Sequence, residues 1–254
     1  MHGLLALSAC HLLHLRPESG EYYSNLAVHH HIAAVSLFRV VLDNVDEQSA
    51  VPALAFSTLV ACLSFAMPQE IMRTHTPEPT YVKNILDIFR LVRGVKDVMA
   101  STSQFVKDSH IAPLMTMPLQ NTEGPLDFHA EIAVRELEAR ILSGAEPMAF
   151  KNDYLDAVMI FRRCYPRGAF EAQHQALVSA WPVMVRDSFF AEILGMKAGI
   201  GLVTLGYYGV LMHLMRSTWW IQDKGRRLVE GIVNILTPEW QPLMSWPEER
   251  VGIE

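Results

Sequence analysis

Cysteine is scarce in this 254-residue chain: Cys10, Cys62 and Cys164 stand far apart, are odd in number and form no C-x-x-C pair. That spacing excludes a disulfide framework and a thiolate zinc site, and fits a reducing compartment best. Basic residues are also short, with 21 Lys and Arg against 27 Asp and Glu for a net charge of −6. Nothing in that balance attracts a polyanion, so the segment acting alone does not bind nucleic acid. No Lys or Arg precedes Arg16. The apolar opening run therefore lacks the positive region of a secretory signal, although Leu7-Ser8-Ala9-Cys10 resembles a lipoprotein processing box. G-x-S-x-G, Walker and H-E-x-x-H motifs are all missing. Gly199, Gly201, Gly206 and Gly209 fail the dinucleotide fingerprint, because Thr204 occupies the third glycine position and no strand precedes them.

What is present is apolar: half of the residues are hydrophobic, enough to fill one sizeable core or two small ones. The apolar spacing is helical almost throughout, so the fold class expected is all-α, a single irregular multi-helix domain with an apolar pocket and no sheet. Helices are expected over residues 3–15, 21–44, 80–102, 126–142, 152–164 and 223–236, with further helical segments at 170–186 and 189–220. In the second of these, Leu26, Ala33, Leu37, Phe38, Val41 and Leu42 form the stripe expected to face inward. A third helix follows the polar turn at 43–47, and in the fourth, over 80–102, Ile85, Ile88, Phe89, Val92, Val95 and Met99 form a stripe that must pack on something. Pro68, Pro77 and Pro79 bracket a break, residues 108–125 read as an internal loop, and Trp240, Trp246 and Pro247 fall in a tail. Residues 48–69 and 198–215 carry no Asp, Glu, Lys or Arg. Each is near the roughly 20 residues that span a bilayer. Their Pro, Ser, Gly and His content reads instead as buried core helices, without a membrane span.

Candidate chemistry is sparse. His29-His30-His31 point about 100° apart on a helix and do not converge on one ion. His11 and His14 share a face but lack a third ligand, so packing is the simpler reading. Asp43, Asp46 and Glu47 are read as a helix end with an N-terminal carboxylate in preference to a cation site. The informative run is Gly206-Tyr207-Tyr208-Gly209-Val210-Leu211-Met212-His213-Leu214-Met215, followed by Trp219-Trp220. Aromatics, methionines and bare backbone in an uncharged segment suit an apolar ligand site whose polar tips are the two tyrosine hydroxyls and His213. Core packing explains the same composition. The glycines serve either reading, through close helix approach or a concave wall.

Several blocks, taken in order, resemble one family. His2-Gly3-Leu4-Leu5-Ala6-Leu7-Ser8-Ala9 with His11-Leu12, then Tyr23, Ala27, His30 and Phe38-Arg39, resemble the start of the regulatory domain of fungal zinc-cluster transcription factors. The sterol uptake control protein group is the most similar. Phe89-Arg90-Leu91-Val92-Arg93-Gly94-Val95, Ile111-Ala112-Pro113-Leu114, Trp181-Pro182, the Tyr208-to-His213 block, Trp219-Trp220, Gly225, and Trp240 through Trp246-Pro247 continue the series. The resemblance implies that residues 1–254 are one ligand-binding regulatory domain that controls transcription by sensing a sterol- or terpenoid-like molecule. By the same resemblance, Tyr207, Tyr208, Met212, His213 and Trp219 line its pocket. The family's zinc-cluster module is absent from this chain, so DNA would be reached only through a module upstream. Self-association as a homodimer and residence in the nucleus or cytoplasm are further expectations. No catalytic residue, metal ligand or cofactor is assigned. Two alternatives stand beside this reading: a stand-alone enzyme of fungal secondary metabolism using the same pocket for cyclisation or cycloaddition, and a structural helical module that mediates dimers.

Overall fold

The computed structural model describes residues 1–67, 81–107, 109, 111–112, 125–144, 148–194 and 199–253. The expected break at Pro68, Pro77 and Pro79, and most of the expected loop over 108–125, lie outside these residues. Among the described residues the protein is all-α, with eleven α-helices and no strand. In chain order these are α1 (His2–Leu15), α2 (Gly20–Leu42), α3 (Ala50–Ala66), α4 (Tyr81–Val106), α5 (Phe128–Ser143), α6 (Met148–Cys164), α7 (Ala172–Met184), α8 (Asp187–Leu194), α9 (Gly199–Leu214), α10 (Lys224–Ile235) and α11 (Ser245–Val251). Two 3-10 turns, Pro17–Ser19 and Gln241–Met244, precede α2 and α11. The chain divides into two compact units. Unit 1 holds Met1–Glu78 and Asp87–Pro118, and unit 2 holds Pro79–Leu86 and Leu119–Glu254.

Unit 1 is assembled around small side chains. α1 buries Gly3, Ala6, Ala9 and Cys10, and α2, which packs on it, buries Ser24, Ala27 and Ala34. This differs from the stripe expected of α2, since Leu37 is 61% exposed and Leu42 is also at the surface. The reason is steric: alanines and serine let the two backbones approach closely, and the bulky residues are rotated away from that seam. His11 and His14 lie at the surface of α1 and do not pack inside it. The run from Pro17 to Leu42 has, by length and composition alone, the hydropathy of a bilayer-crossing helix, and little of it is buried. α3 starts on a reciprocal cap. Asp46 accepts from the Ser49 amide at 2.8 Å and the Ser49 hydroxyl at 2.6 Å, while that hydroxyl accepts from the Asp46 amide at 2.9 Å. These bonds hold the Asp46 carboxyl below its ordinary pKa. Pro52 sits in the first turn, where its missing N–H leaves no bond unmade. Ala50 and Leu54 of α3 pack on Val106 at the end of α4, and the expected α4 stripe is buried at Ile85, Ile88, Phe89 and Val92.

Unit 2 is wound around α9. Every residue from Ile200 to Met212 is buried, so this helix is enclosed on all sides. It contacts α6, α8, α10, α11 and the second 3-10 turn. The uncharged stretch 198–215 is thus a core helix, and the longer apolar segment divides into α8 and α9. The expected tail is also core: Met244 and Trp246 are buried, and Trp246 packs beside Phe161, Tyr165 and Tyr207. Two glycines set how closely α9 and α10 meet. A Cβ on Gly225 would meet the His213 amide nitrogen and lie 2.5 Å from the Gly209 carbonyl, and one on Gly209 would lie 2.8 Å from Val229. Backbone on backbone leaves nothing that can move aside.

On the flank of unit 2, Arg162 of α6 reaches two carboxylates of α5, Glu131 at 2.7 Å and Glu138 at 2.9 Å, while Arg135 pairs with Glu131 at 2.7 Å. Arg162 and then Arg135 hold the Glu131 carboxyl down to about 2, from an ordinary 4.5. A depressed carboxylate pKa means the unfolded chain binds more protons, so this network stabilises fully above pH 4.5 and is lost as pH falls toward 2. Arg162→Met is expected to cost about 1.5–3 kcal/mol at neutral pH and to flatten the dependence of stability on pH in that window, as read by urea unfolding across a pH series. Gly225→Ala is expected to cost about 1–3 kcal/mol by overpacking. Gly94→Ala, where a Cβ meets nothing within 4 Å in the middle of α4, is expected to stabilise by up to about 1 kcal/mol. Denaturant midpoints check both signs.

Candidate functional site

The five residues named from sequence occupy different surroundings. Tyr207 is 2% exposed, and its hydroxyl donates to the Ala133 carbonyl of α5 at 3.0 Å, with the Leu243 carbonyl 3.4 Å away. Its ring meets Phe161 edge-on and lies 5.2 Å from Trp246. Tyr208 stacks on Trp181 at 4.4 Å with the planes 21° apart. Its hydroxyl donates to the Val178 carbonyl at 3.1 Å. That bond has a local cause: Pro182, four residues beyond Val178 in α7, has no N–H to give. Tyr208 supplies the donor that the helix lacks. Burial drives both phenol pKa values far above the ordinary range.

Met212 is buried in the same core. His213, in the last turn of α9, is half-buried, and among the described residues its Nδ1 has no partner. Burial, reinforced by Arg216, Arg226 and Arg250, lowers its pKa, so it stays neutral further into acid than a free imidazole. Trp219 lies half-buried in the turn after α9, edge-on to Trp220 at 5.4 Å. Of the five, Tyr207 borders a cavity of about 210 Å³; the other four are not among its lining residues. The glycine question, left open by the sequence, resolves toward packing at Gly206 and Gly209, where a Cβ would meet Met244 at 2.5 Å and Val229 at 2.8 Å.

A larger cavity, of about 340 Å³, lies in unit 1. Its walls come from the start of α1 (His2, Gly3), from α2 (Ala34, Leu37, Phe38, Val41) and from α3 with its cap (Ser49, Pro52, Ala53, Phe56). The lining is mostly apolar. Phe38 and Phe56 meet edge-on at 4.8 Å, and the Phe56 ring lies where a Cβ on Gly3 would be, 2.6 Å from its nearest atom. Two polar tips stand at the edge: the Ser49 hydroxyl, committed to Asp46, and His2, whose Nδ1 is 2.9 Å from Nδ1 of His30. One ring nitrogen must donate and the other accept, so the pair shares a single proton. Burial, then His2 and His29, lowers the His30 pKa. Sequence reasoning missed this cavity. It is lined by small residues of three helices, Gly3, Ala34 and Ala53, beside the Phe38–Phe56 pair, and no local pattern records that juxtaposition.

The chain is similar to a Zn(2)-C6 fungal-type transcription factor of Gibberella zeae, at 25% identity over 174 residues. The match covers 64% of this chain and 34% of that protein, so the chain spans about a third of the length of the relative it matches. No family model matches the chain, and no solved structure matches it.

Removing the Tyr208 hydroxyl tests its structural role. Tyr208→Phe leaves the Val178 carbonyl without the donor that stands in for the missing Pro182 amide, at an expected cost of about 1–3 kcal/mol with helical circular dichroism retained. Spectrophotometric titration of the seven tyrosines is expected to be biphasic. Tyr81, Tyr165, Tyr207 and Tyr208, whose phenols burial holds well above the ordinary range, are expected to ionise only with alkaline unfolding.

Proposed function

We propose that this chain is a helical regulatory module of a transcription regulator of the Zn(2)-C6 fungal type, and that a small apolar molecule seated in the unit 1 cavity is the signal it reads. The similarity to the Gibberella zeae protein supports the regulatory role. The observation that carries ligand sensing is the cavity itself, about 340 Å³, walled by three helices and floored by Phe38 and Phe56. Its size is at the lower end of the roughly 300–1,000 Å³ of small-molecule sites. A compact terpenoid-like molecule suits it better than a sterol, whose fused rings would leave much of their surface uncovered. At the edge, His2 would orient a ligand hydroxyl or carbonyl, and the Ser49 oxygen, whose proton is given to Asp46, would accept only from a hydroxyl.

The mechanism follows from what α1, α2 and α3 share. A molecule that fills the cavity binds the arrangement in which all three walls are in place, and it shifts the population toward that arrangement by its differential affinity. Burial of apolar ligand surface provides the driving force, at about 25 cal/mol per Å². With a net charge of −6, contact with DNA belongs to a separate module, and the site of action is the nucleus. For the cyclisation alternative, the phenols of Tyr207 and Tyr208 would have to act as acids. Both are engaged by main-chain carbonyls and held far above neutral pKa, an arrangement that serves structure.

The rim offers a clean test. Leu37 is 61% exposed at the cavity mouth, so Leu37→Glu is expected to leave thermal stability unchanged. A carboxylate there is expected to weaken binding of an apolar fluorescent probe, and of any terpenoid that displaces it, by about tenfold or more. Equal probe binding by the wild type and Leu37→Glu would remove this cavity from the account.

A further inference from the structure

The smaller cavity, in unit 2, has a different chemistry. Its floor is buried and aromatic, formed by Tyr207, Trp246 and Ala133, and its rim carries two exposed carboxylates, Glu136 of α5 and Glu249 of α11. Neither carboxylate has an ion-pair partner among the described residues. Arg140, one helical turn beyond Glu136, lies over the Trp240 ring at 4.4 Å, and Arg250, next to Glu249, donates to the Tyr165 hydroxyl at 3.1 Å. Both nearby guanidinium groups are thus engaged elsewhere. Trp246 is 93% buried, since 7% of its surface is exposed, and among the described residues its indole N–H has no acceptor. A buried donor left unpaired is destabilising, so an acceptor that reaches it gains more than one offered to a solvated group. The charge of Glu136 is felt at the cavity floor, where, after burial, it is what raises the Tyr207 pKa.

We propose that this cavity binds a small organic cation, an amine or guanidine that carries a hydrogen-bond acceptor close to its charged group. The two carboxylates accept its N–H bonds, charge-assisted and stronger than neutral ones. The aromatic floor adds cation–π attraction, for which an indole is the best of the side chains. The acceptor satisfies the Trp246 N–H. At about 210 Å³ the cavity is smaller than sites for drug-sized ligands and suits a head group. Such a head can belong to a free metabolite or to an arginine side chain of another protein, and the chemistry of recognition is the same. The proposal does not depend on the apolar site of unit 1.

Isothermal titration of the whole chain at low ionic strength with ethanolamine, glycinamide and N-acetyl-arginine amide tests it. The indole N–H resonance of Trp246, one of five and assigned through Trp246→Phe, is followed in parallel. Saturable heat with at least one probe is expected, together with a shift of the Trp246 indole signal. The Glu136→Gln, Glu249→Gln double variant is expected to weaken that probe by about tenfold or more. Both glutamates are exposed, and an unchanged melting temperature shows that the variant is folded. Tightest binding by the blocked arginine assigns the head to a protein side chain, and tightest binding by ethanolamine or glycinamide assigns it to a free small amine. Absence of saturable heat with all three probes, or undiminished binding by the double variant, overturns the proposal.

Discussion

A helix buried along nearly its whole length governs the architecture of unit 2. From Ile200 to Met212 every residue of α9 is buried, so each polar group it carries must find a partner within the protein or cost about 1–3 kcal/mol. Thr204 returns its hydroxyl to the Ile200 carbonyl at 2.9 Å, Tyr207 reaches the Ala133 carbonyl and Tyr208 reaches the Val178 carbonyl. Those two long bonds fix the position of α5 and α7 against the central helix. The same enclosure explains the glycines. Where α10 crosses α9, Gly209 and Gly225 bring backbone against backbone, and a surface helix would have no use for so close an approach.

The helical class was legible because apolar residues recur at three and four along most of the chain, and the start of α3 was legible because an acidic residue precedes an uncharged run. Boundaries agree to within a few residues for α1, α2, α5 and α10. Other features depend on what lies opposite, which a single chain does not record. Leu37 and Leu42 of the expected α2 stripe turned outward because alanines on α1 and α2 take the seam by fitting closer. The segment around Trp246 read as a tail because it is short and rich in proline. Its place in the core comes from Phe161, Tyr165 and Tyr207, aromatics some 40 to 85 residues away in sequence. The tyrosine-rich run drew attention as a pocket wall, yet composition alone does not distinguish a wall from a core; the destination of each hydroxyl does.

The two units differ in how they are stabilised. Unit 2 is held by large interlocking aromatics, main-chain-anchored phenols and the Arg162 ion network. In unit 1 the α1–α2 seam rests on alanine, glycine and serine, with Ile32, Leu37 and Val40 at the surface. Small contacts give up less free energy when they open. A responsive element is therefore expected where α1, α2 and α3 line the larger, open cavity, while α9 acts as a fixed post.

Hydrogen exchange measured peptide by peptide, with and without a bound terpenoid-like ligand, tests this division most directly. The account requires α9 amides to be among the slowest in the free protein and unchanged on binding, with new protection confined to α1, α2 and α3. New protection concentrated in residues 199–214, with α1 to α3 unaffected, would contradict it.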